Sequence, residues 1–172
     1  MQRIKAFISY SSSDCNQKAG SLKEIFQKYL GFDSFIAHSD IPVGRNFNEM
    51  IINQIKISHV FIPLISTDSE KSTFVNQEIG IAMGSGRPIV PIKINNNPGG
   101  FISHIQAMQF PIVEYGENST IINSHFASKI LFALYKDAHL SSLRTVLFES
   151  LLFAFSNSSS YYSANIVGHY VA

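Results

Sequence analysis

The run Val60 to Ile65, VFIPLI, carries no charged or hydrogen-bonding side chain. A strand that is apolar at nearly every position has no face to give to water, so it belongs in a sheet covered on both sides. Pro88 to Ile94 reads as a second strand of this kind. Around these runs, strand and helix signals alternate. Ile4 to Ser9 and Asp33 to Ala37 are β-rich, and Ala107 to Val113 reads as an edge strand because it holds Pro111. Leu22, Ile25, Phe26, Tyr29 and Leu30 recur at helical spacing before Gly31, where a C′ glycine belongs. Phe47, Ile51, Ile52 and Ile55 mark a second helix, Ser72 to Ser85 a third that Gly86 stops, and Ser119 to Ala138 a last one. The stretch from His38 to Phe47 is loop, Ser66 to Lys71 is polar loop, and Ser11 to Ser13 with Asp14 supplies N-cap chemistry for the first helix. Five strand signals with helices between them predict an α/β domain built on a parallel sheet with helices on both faces.

Composition narrows the function. Thirteen basic against twelve acidic residues leave a formal charge of +1, so there is no basic excess to neutralise phosphates, and direct nucleic-acid binding is not expected. The single cysteine, Cys15, excludes an intrachain disulfide and a cysteine-based zinc site and reads as a small buried hydrophobe. The six histidines show no metal-ligand spacing, so no metal is expected. Ala6 to Ile8 is too short for a signal-peptide core, and Glu149 and Ser150 interrupt the greasiest later run. The expectation is a cytoplasmic protein without a membrane partner. One boundary falls near His139, dividing a domain at 1–138 from an apolar, helical extension at 139–172. That extension packs on the sheet, mediates association with a partner or regulatory domain, or begins a further region.

In a five-stranded doubly wound sheet of order 2-1-3-4-5, ligands bind between the first and third strands at their carboxyl ends. The loops there are Tyr10 to Asp14 and Ser66 to Lys71. Ser11, Ser12 and Ser13 either seat an anion at a helix start or merely cap the helix. Glu78 is the anomaly. On a helical wheel Phe74, Val75, Ile81 and Ala82 all fall within about 60° of it. A carboxylate on an apolar face must be paired, hydrogen-bonded or used. Pairing with Lys71, or snorkelling at the sheet edge, is the structural reading. The functional reading is an ionised carboxylate that stabilises a developing cation or binds a sugar diol, which is the chemistry of glycosidic cleavage. A receiver-type phosphorylation domain needs an Asp at the end of the third strand, and Leu64-Ile65-Ser66 stands there instead.

Three strings together carry a resemblance: KAFISYSSSD, then GFDSFIAHSDIPVGRNFNEMIINQI, then STFVNQEIGIAMGSGRPIVPI. In order and spacing they resemble the three boxes of a Toll/interleukin-1 receptor (TIR) domain of the soluble bacterial kind, from about Lys5 to Phe110 and more weakly to Tyr135. The resemblance implies a flavodoxin-like sheet of order 2-1-3-4-5. It makes Asp40, Ile41, Pro42, Val43, Gly44 and Arg45 the BB loop, through which such domains assemble, and FVNQE the counterpart of a WxxxE motif. Many members cleave NAD+ to nicotinamide and ADP-ribose or a cyclic isomer, using the last residue of that motif, which is Glu78 here. On this reading NAD+ is a substrate and no cofactor is implied. Phe7, Ser9, Ser11, Phe74 and Lys71 contact the substrate, and the domain self-associates into oligomers or filaments. Similar bacterial proteins act in anti-phage defence. Phe74 departs from the family's Trp; it keeps an apolar ring with less area and no N–H donor.

The expected function is therefore a TIR-type NAD+ glycohydrolase or cyclase, activated by self-assembly. The rivals are a non-catalytic TIR interaction module working through its BB loop and a nucleoside or nucleotide N-glycosidase on a similar sheet.

Overall fold

A computed structural model of the chain describes residues 3–36, 47–111 and 119–136. The predicted assembly segment Asp40–Arg45, the extension at 139–172, and residues 37, 112–113 and 137–138 at the ends of predicted elements lie outside the described residues. The strands are β1 (Lys5–Ser9), β2 (Asp33–Ile36), β3 (Val60–Ile65), β4 (Ile92–Lys93) and β5 (Met108–Gln109). They form a five-stranded sheet of order β2-β1-β3-β4-β5, parallel at every pairing. The parallel α/β sheet expected from the alternation, in the flavodoxin-like order that the resemblance implies, is what the chain adopts.

The helices are α1 (Asn16–Ile25), α2 (Phe47–Ile57), α3 (Thr67–Lys71), α4 (Thr73–Gly84) and α5 (Ser119–Lys136). A π-helical turn, Phe26–Leu30, extends α1 and ends at Gly31, whose φ of 63° is the left-handed value that a residue without Cβ adopts freely. Strand alternation sorts the core into two layers. Ile4, Ala6, Ile8, Val60, Ile62 and Leu64 pack with residues of α1 and α5. Phe7, Phe61 and Ile65 pack with Ile51 and Ile55 of α2 and with Val75, Ile79 and Ala82 of α4. β3 is buried at all six positions, as its apolar run requires.

Three local expectations are corrected. The predicted strand Pro88–Ile94 shrinks to Ile92–Lys93 plus one bridge, Phe61 with Ile89. Pro91 brings no N–H to the ladder, and the register Leu64–Ile92 sets it opposite Pro63, which also lacks one. The edge strand similarly shortens to Met108–Gln109. Ser66–Lys71 is not a loop throughout. Thr67–Lys71 is a helical turn closed by a reciprocal box, in which Ser66 Oγ accepts from Ser69 N–H at 3.0 Å and Ser69 Oγ accepts from Ser66 N–H at 2.7 Å.

Candidate active site

The site forms where β1 ends against α4. Ser9 is the last residue of β1 and lies on the same face as Phe7, toward α2 and α4. Ser72 caps α4 by accepting from Val75 N–H at 3.3 Å, which sets the helix so that Glu78 lies under its second turn, only 3% exposed. Ser9 Oγ–H donates to Glu78 Oε2 at 2.5 Å, and among the described residues Glu78 Oε1 has no partner. Burial pushes the carboxyl pKa up to about 7, while the Ser9 hydrogen bond pulls the other way. The salt bridge to Lys71 weighed above does not form; Lys71 lines a different groove.

Two grooves meet at Phe74. The first, of about 440 Å³, runs between α2 and α4 and is lined by Asn48, Ile51 and Ile52 on one side and Phe74, Gln77, Glu78, Gly80 and Ile81 on the other. Its walls are mainly apolar, and Glu78 supplies the one carboxylate among the described residues that line it. The second, of about 510 Å³, is polar and lies over the carboxyl ends of β1 and β3, lined by Tyr10, Ser11, Ser12, Ser13, Asp68, Lys71, Ser72, Thr73 and Phe74. Phe74 is 52% exposed on the ridge between them.

The residues singled out from the sequence are thus distributed over three places. Glu78 and Ser9 are in contact, Phe74 borders both grooves, and Ser11 and Lys71 line the polar one. Phe7 is fully buried, its ring stacked 5.5 Å from both Phe35 and Phe61, so it supports the site from beneath and is not accessible to a ligand. Ser9 is likewise fully buried. The expected capping by the serine cluster is also corrected. Cys15 occupies the N-cap of α1 without a side-chain bond, Ser11 Oγ accepts from Ser13 N–H at 3.4 Å, and Asp14 turns to accept from Ser66 Oγ at 3.1 Å. Sequence reasoning missed the α2 wall and Gly80. Ile51 and Ile52 were legible as a helical apolar face, but which groove they would border depends on long-range packing.

Comparison with known proteins agrees with the fold. A family profile described as "TIR domain" matches residues 6–118. Among solved structures, the TIR domain of the Toll-related receptor TRR-2 from Hydra magnipapillata is similar over 76% of this chain and 98% of that one, at 17% identity and a TM-score of 0.59. The TIR domains of the activated Roq1 resistosome, which recognises the pathogen effector XopQ, are similar over 74% and 99%, at 13% identity and a TM-score of 0.59. A prokaryotic SEFIR domain is similar over 80% and 96%, at 18% identity and a TM-score of 0.51. At these identities the likeness is one of fold. No curated protein sequence matches the chain.

Proposed function

For this chain, which belongs to the TIR domain family, we propose the function of an NAD+ glycohydrolase or cyclase with Glu78 as its catalytic residue. The observation that carries the reading is a carboxylate buried beside an apolar groove, with one oxygen held by Ser9 and the other without a partner among the described residues. A buried charge left half-satisfied costs stability, and such sites are commonly kept for use.

The chemistry asks little more of the protein. In NAD+ the nicotinamide nitrogen is cationic, so the pair of electrons in the C1′–N bond leaves with a neutral base and needs no general acid. Positive charge then develops on the ribosyl ring. Ionised Glu78, poorly solvated, stabilises that charge and accepts a hydrogen bond from a ribose hydroxyl. Water adds to C1′ and releases a proton, giving ADP-ribose; attack by an adenine nitrogen gives the cyclic isomer. The groove between α2 and α4 takes the nicotinamide riboside end, with Phe74 packing the base or ribose. The polar groove beyond Phe74, with Ser11 and Lys71, takes the phosphates.

Self-association through the segment Asp40–Arg45 belongs to the same proposal, as does a role in anti-phage defence, which rests on the resemblance to bacterial members. The decisive experiment is NAD+ consumption by concentrated protein with a crowding agent, comparing wild type with Glu78→Gln and separating the products. Loss of turnover by about 10²- to 10³-fold is expected. Turnover that survives in the variant overturns the assignment, and assembly without turnover by wild type favours the interaction module.

A further inference from the structure

We infer that Ser9 is a positioning residue for Glu78 and not part of the substrate-contact surface: its buried hydroxyl holds Oε2 and fixes the carboxylate beside the groove. The inference rests on the proposed reading of the site and deepens it. Ser9 has no exposed surface, and its one O–H donor is committed to Glu78 over 2.5 Å. Glu78 lines the groove between α2 and α4 and Ser9 does not, although Oε1 itself is buried. The bond joins the end of β1 to the middle of α4, so it fixes the carboxylate's rotation as well as one of its oxygens. A hydrogen bond to an ionised acceptor favours the charged form. Ser9 therefore also sets how far down in pH the site keeps its charge.

No other group shares that role among the described residues. On the face toward α4, β1 presents Phe7 and Ser9, and β3 presents Phe61, Pro63 and Ile65, none of them titratable. From α2, Asn48, Ile51 and Ile52 line the groove, and Glu49 is exposed. Asp68 and Lys71 of α3 line the polar groove beyond Phe74. Burial raises the Glu78 pKa, and the Ser9 bond alone opposes it.

The test is a ¹³C NMR titration of the full chain labelled at the glutamate carboxyl carbons, with the Glu78 signal identified by its absence in Glu78→Gln. The wild-type midpoint is expected near 7. In Ser9→Ala it should move up by about one pH unit, a tenfold change in the protonation equilibrium. Ser9→Thr, which restores a hydroxyl, should bring it back toward wild type. An unchanged midpoint in Ser9→Ala overturns the inference. In NAD+ cleavage, the acid limb of kcat/KM should move up by the same interval in Ser9→Ala. A loss of rate equal at every pH would make Ser9 a substrate contact or a purely structural residue. The titration needs no turnover, so it decides the role of Ser9 even if the chain fails to cleave NAD+.

Discussion

Ser66, at the carboxyl end of β3, donates its hydroxyl to Asp14 Oδ1 in the loop after β1, tying together the two loops that border the polar groove. The same hydroxyl accepts from Ser69 N–H and so caps α3. One buried oxygen therefore fixes both lips of the crevice. Ser66→Ala removes the tie and the cap together and should lower stability by about 1–2 kcal/mol. A urea titration should show a lower midpoint at an unchanged slope. A midpoint equal to wild type would mean that neither bond contributes to stability.

Glu78 should weaken the fold at neutral and alkaline pH. Its native pKa is about 7, above the ordinary carboxylate value. Between roughly pH 4.5 and 7 the native state binds more protons here than the unfolded chain, so stability from this group falls as pH rises through that window. It is fully present below the unfolded pKa and gone above about 7. Glu78→Gln keeps the shape without the charge. It should match wild type near about pH 4 and exceed it by a few kcal/mol at about pH 8, measured as the difference in melting temperature across the range. A variant no more stable than wild type at the alkaline end would show that the buried carboxylate carries no penalty.

These two cases also show what a one-dimensional reading can reach. Val60–Ile65 was legible because burial on both faces leaves a continuous apolar run, and the strand occupies those six residues. Glu78 stood out because a helical period placed it among Phe74, Val75, Ile81 and Ala82, and the structure buries it against β1. β4 misled because its composition is strand-like, whereas its length is set by Pro91 facing Pro63 on a neighbouring strand. The helix Thr67–Lys71 rests on one serine pair, too little for periodicity to register. The partition of Ser9, Ser11 and Lys71 among a buried contact and a polar groove depends on how α3 and α4 seat over the sheet, and spacing along the chain does not encode it.

Phe74 sits half-exposed on the ridge between the two grooves, where the family motif carries Trp. An indole offers a larger stacking face and an N–H donor. Phe74→Trp should therefore lower the KM for NAD+, by roughly three- to tenfold for about 1 kcal/mol of added stacking. Phe74→Ala should raise it by at least as much. Because the ring is largely in solvent, melting temperature should change little in either variant. Initial-rate kinetics at several NAD+ concentrations separate the two effects. A KM unmoved by both substitutions would remove Phe74 from the binding surface.

Gly80 lies within α4 and borders the apolar groove, and a Cβ built there meets no atom within 4 Å. Packing does not demand a glycine, and a helix-interior glycine costs about 0.5–1 kcal/mol relative to alanine. What the missing side chain leaves is room in the wall of the groove. Gly80→Ala should accordingly raise stability by about 0.4–1 kcal/mol, through a less disordered unfolded chain and better helix propensity. Gly80→Phe should keep a folded protein but occupy part of the groove. Its expected signature is a KM for NAD+ raised by about tenfold or more, equivalent to roughly 1.4 kcal/mol of lost binding, with the Glu78 carboxyl titration unchanged. Denaturation and kinetics on the same two variants check both halves. A large side chain at position 80 that leaves KM at the wild-type value would place the substrate elsewhere than the groove between α2 and α4.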